Sequence, residues 1–237
     1  MSKALKTAQK KKKAKPKAKT ASHASAQPDE PRVNLRLQQK EATRAAILQA
    51  ALQVFSEHGF AGSSTRDIAE LAGVHHALIK YYFNSKDALW REAVTFLFAR
   101  QFAELSAPPS TVQLRTRESR RQFAREALRR YVLYCARHPE HARLMVQESV
   151  RDSERLHWAA DHFIGETSRS AERFVRMLQG EGILPKASAP ALVYVIVGAA
   201  QSFYTLAPEV RRVWNIDPAD DAVIEAHIEA VLGVFIR

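Results

Sequence analysis

From Arg36 onward, hydrophobic positions recur at helical spacing. Ile47, Ala51, Val54 and Phe55 stand at i, i+4, i+7 and i+8 and make one apolar face. Glu57 and His58 then run into Gly59, a residue suited to the position just past a helix C-terminus. Ser64-Thr65-Arg66-Asp67 is an approximate capping box, with Asp where Glu or Gln is usual. It predicts the start of a short helix carrying Ile68, Ala69, Leu71 and Ala72, ended by Gly73. Val74 leads into a third helix in which Ile79, Tyr82 and Phe83 share a face. Asn84 breaks it, and Ser85 is the N-cap of a fourth helix running to about Leu105.

The second half repeats the pattern after a predicted break at Ala107-Pro108-Pro109. Phe123, Ala127, Tyr131, Tyr134 and Cys135 form the apolar stripe of the next helix. Arg121, Arg125 and Arg129 lie opposite and read as a solvated face supported by Glu126. His138 precedes Pro139 and closes that helix, because the residue before proline avoids helical dihedrals. A short helix from Glu140 to about Val150 follows, then a long one from Glu154 to Gln179, ending at Gly180 and Gly182. Residues 189–200, "APALVYVIVGAA", are apolar on every side. Their β-branched content permits a buried strand. However, Pro190 stands where a helix has its N1 residue and no partner strand is visible, so a helix is predicted. Asp221 to Arg237 is another, with Ile224, Ile228, Val231, Leu232 and Phe235 on one face and Val223, Ala230 and Val234 beside it. The predicted fold class is all-α.

Residues 64–83 read as helix, tight glycine turn, helix, which is the helix-turn-helix arrangement. With Ile79 and Phe83 turned inward, His75, His76, Ala77, Lys80 and Tyr81 are left on the outer face. Hydrogen-bonding tips and one positive charge suit a helix lying in a DNA major groove. Metal binding by His75 and His76 is the weaker alternative, since adjacent helical residues point about 100° apart. His157, Asp161 and His162, at i, i+4 and i+5, are noted without a metal being expected there.

Charge sharpens the picture. Residues 1–31 hold nine lysines against Asp29 and Glu30, which accounts for seven of the chain's eleven net positive charges. With almost no large apolar side chains, this tail is expected to be disordered. It is either a solubilising extension or an arm that raises affinity for phosphate backbones. No apolar stretch follows the lysines, and the longest apolar run is too short for a membrane span, so a soluble cytoplasmic protein is expected. The single Cys135 excludes an intrachain disulfide framework and reads as a small buried hydrophobe. No Gly-rich phosphate loop, nucleophile elbow or suitably spaced carboxylate pair is present, so neither an enzyme nor a cofactor site is expected.

Gly59-Phe60, Ser64-x-x-Asp67-Ile68-Ala69, Ala72-Gly73-Val74 and Tyr82-Phe83-x-Ser85-Lys86-Asp87-x-Leu89, with these spacings, resemble the TetR family of bacterial transcriptional regulators over residues 40–92. The pattern departs where the family usually has Ser at the start of its recognition helix and Tyr five positions later; His75 and Lys80 stand there. Beyond residue 92 the likeness is one of helical layout and of local phrases such as "RHPEHARLMVQES".

The resemblance implies three parts: a tail at 1–31, a three-helix DNA-binding domain at 32–84, and a helical effector-binding and dimerisation domain at 85–237. It also implies that the last two long helices join two chains into a homodimer, with both helices as monomer core the weaker alternative. Such a dimer acts as a ligand-responsive repressor on a palindromic operator. Ser64, Thr65 and Ser85 at helix N-termini, with Arg66 and Lys86, are expected to hold phosphates of double-stranded DNA. His75, His76, Ala77, Lys80 and Tyr81 are expected to select bases, with Tyr82 beside them. For the small-molecule effector the expected lining is Trp90, Phe98, Phe102, His141, Met145, Trp158, His162, Phe163 and Phe203. An architectural DNA binder acting through the basic tail is the rival reading.

Overall fold

The computed structural model describes residues 30–106 and 115–237. The predicted break at Ala107-Pro108-Pro109 and the tail up to Asp29 lie outside them. Every regular element among the described residues is helical. The chain divides into two units, Met1–Gln38 and Gln39–Arg237. The first is described only from Glu30, two residues inside the expected tail, where α1 (Glu30–Gly62) begins.

In the second unit α1 is broken at Gly59, whose φ of 69° and ψ of 171° are closed to residues with a Cβ. A Cβ there would also lie 2.8 Å from the Gln147 carboxamide oxygen. α2 (Thr65–Leu71) starts under the Ser64 cap, whose hydroxyl accepts from the Asp67 amide at 3.1 Å. Gly73, at φ 66°, makes the turn to α3 (Ala77–Phe83). Asn84 takes a positive φ, and Ser85 caps α4 (Lys86–Leu105) by accepting from the Ala88 amide.

α5 (Arg117–Arg137) opens with a capping box between Thr116 and Ser119 and stops at His138, before Pro139 begins α6 (Pro139–Arg151). The predicted long helix from Glu154 is α7 (Glu154–Ala159), a π-helical stretch over Ala160–Ile164, and α8 (Gly165–Gly180). α9 (Ala189–Thr205) has Pro190 in its first turn, and α11 (Asp221–Phe235) ends the fold. Between them lies α10 (Ala207–Trp214), an unpredicted helix only two turns long. Ala207 and Val210 are buried, whereas Val213 and Trp214 are exposed.

Two apolar cores hold these helices. The first joins Ile47, Phe55, Ile68, Ile79 and Phe83 to Leu89, Trp90, Val94 and Leu97, with Leu144 and Ala159 closing it. The N-terminal half of α4 therefore belongs to the same core as the helix-turn-helix, and packing is continuous across residues 84 and 85. The second core joins α5, α8, α9 and α11 through Leu128, Val132, Val175, Leu178, Val193, Ile228 and Leu232.

The stripe of α5 differs from prediction by about one position. Tyr134 and Cys135 are buried as predicted, but the rest of the buried stripe is Ala124, Leu128 and Val132, whereas Phe123, Ala127 and Tyr131 are half-buried. The arginines of α5 are not a solvated face. Arg129 grips both carboxylate oxygens of Glu225 at 2.5 and 2.7 Å, and Arg125 meets Glu229 at 3.6 Å. Arg121 donates to the carbonyl of Arg237 at 2.8 Å. These pairs clamp α5 to α11, and Glu126 pairs instead with Arg130.

No single helix among the described residues is long and apolar enough to cross a membrane.

Candidate DNA-reading face and effector cavity

α3 is anchored by Ile79 and Phe83, 3% and 4% exposed, which fixes what its other side presents. His75, His76, Ala77, Lys80 and Tyr81 are all exposed. The two histidines are partly committed. The His75 ring nitrogen Nδ1 accepts from the Ala77 amide at 3.3 Å, supplying the cap that His76 does not give. His76 Nε2 pairs with the Thr65 hydroxyl at 2.9 Å and so ties α3 to the start of α2. Ala77, Lys80 and Tyr81 are the freely presented side chains. Tyr82 is half-buried, edge-on to Tyr81, and its hydroxyl donates to the carbonyl of Lys40 in α1.

Among the expected phosphate contacts, Arg66 is exposed, while Ser64 and Ser85 spend their hydroxyls on their own caps. Lys86 is drawn inward. Its Nζ donates to the carbonyl of Ser63 at 2.5 Å and lies 4.6 Å above the Phe60 ring. Burial, then the neighbouring Arg155 guanidinium, lowers its pKa. Lys86 thus fixes the turn before α2, and its ammonium is already engaged within the protein.

Arg155, on α7, also lies over the Phe60 ring, at 3.9 Å, and reaches Glu148, which is 2% exposed. Glu148 also accepts from the Ser153 hydroxyl. Together with Gln147, whose amide donates to the carbonyl of Ser56 at 2.7 Å, this cluster fastens α6 and α7 to the end of α1.

The expected effector lining is not one site. Trp90 is fully buried in the first core, and the partly buried Met145 and Trp158 pack against that core, Trp158 edge-on to Trp90. His141 is buried in α6, paired at 2.8 Å with the Tyr134 hydroxyl. Burial, and then Arg100 and His138, push its pKa down to about 3. Phe203 packs on His227 in the second core. Only Phe98, Phe102, His162 and Phe163 line a shared groove, of about 530 Å³, between α4 and the π segment.

Beside it lies a partly open cavity of about 440 Å³ lined by α4, α5, α8 and α9. Ala127, Leu128, Tyr131, Ala171, Phe174, Val197 and others line it, and Gln101, Leu105 and Thr167 line both spaces. Sequence reasoning missed this lining, although Thr167, Ala171, Phe174, Val175 and Leu178 make a helical stripe. Nothing in such a stripe separates a cavity wall from ordinary core.

Among the described residues no three His, Cys, Asp or Glu side chains come together as metal ligands. His157 pairs with Asp152 and His162 with the carbonyl of Trp158.

Residues 47–93 match the model for bacterial regulatory proteins of the tetR family. The HTH-type transcriptional regulator RutR of Escherichia coli is 29% identical over 206 residues, 83% of this chain and 90% of RutR. The HTH-type transcriptional repressor NicS of Pseudomonas putida is 31% identical over 120 residues, half of this chain and 54% of NicS. Among solved structures, the hemolysin II transcriptional regulator HlyIIR is 25% identical with a TM-score of 0.52 and covers 80% of this chain and 97% of its own. AibR, solved with isovaleryl coenzyme A and operator DNA, has a TM-score of 0.62 at 14% identity, covering 81% and 98%.

Proposed function

We propose, for a chain that belongs to the TetR family of bacterial regulatory proteins and is a DNA-binding transcriptional regulator, that it is a ligand-responsive repressor which binds a near-palindromic operator as a homodimer. The observation that carries this reading is α3: its buried side is locked by Ile79 and Phe83, and its outer side offers Ala77, Lys80 and Tyr81 as a row free to enter a major groove. Arg66 stands at the flank, where it adds charge toward the phosphates. His75 and His76 act first on the shape of α3 and second on DNA.

The dimer reading rests on α9 and α11. The outward stripe of α9 is Ala191, Tyr194, Val195, Gly198 and Ser202, with Tyr194 72% and Val195 56% exposed. That of α11 is Ala222, Ala226, Ala230, Gly233 and Val234. Small and apolar faces of this kind let helices approach closely across a twofold axis. Effector control would pass through α4, which contributes to the first core at one end and to both ligand spaces at the other. A ligand shifts such an equilibrium only through different affinity for the two states.

Selection of duplexes from a random library tests the reading. The wild-type chain should recover a two-fold symmetric site, and Lys80→Ala should change the preferred base at one position in each half-site. Recovery of an asymmetric site, or identical preferences for both proteins, would refute it.

A further inference from the structure

The cavity between α4, α5, α8 and α9 has a chemical character that the functional reading leaves open. Among the described residues no Asp, Glu, Lys, Arg or His lines it. Its inner polar groups are Tyr131 and, behind it, Cys135. The Tyr131 hydroxyl accepts from the Gln201 amide at 2.9 Å and is bonded to the Cys135 thiol. Burial pushes the phenol well up and the thiol up to about 12, so this end of the cavity carries no charge at physiological pH. The remaining handles sit where the cavity meets the outer groove. There Gln101 makes no hydrogen bond with the described residues, and Thr167 donates to the carbonyl of Phe163 while its oxygen can still accept.

Among the described residues the outer groove offers no lysine or arginine either, and its one imidazole, His162, is engaged with the carbonyl of Trp158. Its one carboxylate, Glu166, is held by Arg169, Arg173 and Ser170. An anionic head group passing Gln101 would find no lysine or arginine in the described lining and would face Glu166. A charge left unpaired in an apolar site carries a heavy desolvation cost, whereas one hydroxyl or carbonyl is satisfied by a carboxamide. The volume lies within the usual range for small-molecule sites, about 300–1,000 Å³.

We propose that this cavity takes an uncharged, mainly aliphatic molecule with a single hydrogen-bonding group, of the medium-chain alcohol type, its tail between α5, α8 and α9 and its polar group on Gln101. This rests on the reading of the chain as ligand-responsive and names the class of ligand to which it responds.

The test uses the full chain and displacement of the neutral fluorophore N-phenyl-1-naphthylamine at about pH 8. Octan-1-ol, decan-1-ol, dodecan-1-ol, decanoate and decyltrimethylammonium compete in turn. Affinity should rise about fourfold per methylene along the alcohols until the cavity is full. Decanoate and the ammonium compound should bind about tenfold or more weakly than decan-1-ol. Gln101→Leu should weaken decan-1-ol about fivefold while leaving 1-chlorodecane within about twofold.

Ala127→Trp and, independently, Ala171→Phe should exclude the fluorophore. Operator binding by each variant reports that it is folded. Equal affinity for decanoate or the ammonium compound, or indifference of the alcohol to Gln101→Leu, overturns the proposal. If both blocking variants bind the fluorophore like wild type, the cavity is not the site. Operator binding by the wild-type chain separates these failures from failure of the regulator reading itself.

Discussion

Arg155→Ala probes the joint between the helix-turn-helix and the rest of the second unit. The guanidinium lies 3.9 Å over Phe60 and 3.3 Å from the carboxylate of Glu148, which is 2% exposed. Without it, Glu148 keeps only the Ser153 hydroxyl as a partner among the described residues. Removing one member of a buried ion pair costs about 3–5 kcal/mol, because the other charge is left stranded. Loss of the cation over Phe60 adds about 0.5–2 kcal/mol. The surviving Ser153 contact argues for the lower end, about 3 kcal/mol, or a melting temperature lower by about 6–12 °C for a chain of this size.

Urea unfolding at one fixed protein concentration measures it, since dimer stability depends on concentration. The double variant Glu148→Gln/Arg155→Ala should be more stable than Arg155→Ala alone, because a neutral amide tolerates burial better than an unpaired carboxylate. An Arg155→Ala chain within about 0.5 kcal/mol of wild type, or a double variant weaker than the single one, would refute the reasoning.

Three further outcomes follow from the geometry. Gly59→Ala should cost about 1–3 kcal/mol in urea unfolding, since alanine cannot take φ 69° with ψ 171° and its Cβ would displace Gln147 from Ser56; Gly73→Ala, with open space around it, should cost less. His141 is native in its neutral form, and burial holds its pKa at about 3 against an ordinary value of 6.5. The unfolded chain therefore binds the extra proton, so stability should fall as pH drops from about 6.5 toward 3, by at most about 1.4 kcal/mol per pH unit from this group; His141→Gln should flatten the urea midpoint over that window. Val195→Arg or Ala230→Arg should convert the dimer to monomer in sedimentation velocity, and a dimer that survives both would move the interface elsewhere.

Much of this architecture is readable from residues with strong local physics. Ser64 and Ser85 cap α2 and α4 as predicted, Gly59 and Asn84 break helices where they were expected to, and Pro190 does stand in the first turn of α9. Two elements were lost to sequence reasoning. α10 carries similar signals, Pro208 in its first turn and Ala207, Val210 and Trp214 at helical spacing, but is only two turns long, and the π stretch over Ala160–Ile164 is invisible because its composition is helical.

At the candidate site, the outward face of α3 was legible because Ile79 and Phe83 fix the register. The private bonds of His75, His76 and Lys86 were not, since they depend on partners brought in by the turns. The lining of the cavity was the least legible part. Large aromatic residues such as Trp90 and Trp158 attract attention in a sequence, but here they fill the first core, while the cavity is walled by alanines, valines and leucines.

The most direct measurement is enrichment of fragments of the source genome by the purified protein at near-physiological salt, where non-specific phosphate contacts are weakened. The full chain and a chain lacking residues 1–31 are compared side by side. Recovery of the same few palindromic sites by both is expected of a dimer that reads DNA through α3. Diffuse enrichment that disappears with the lysine-rich segment would contradict it and identify a charge-driven DNA coater instead.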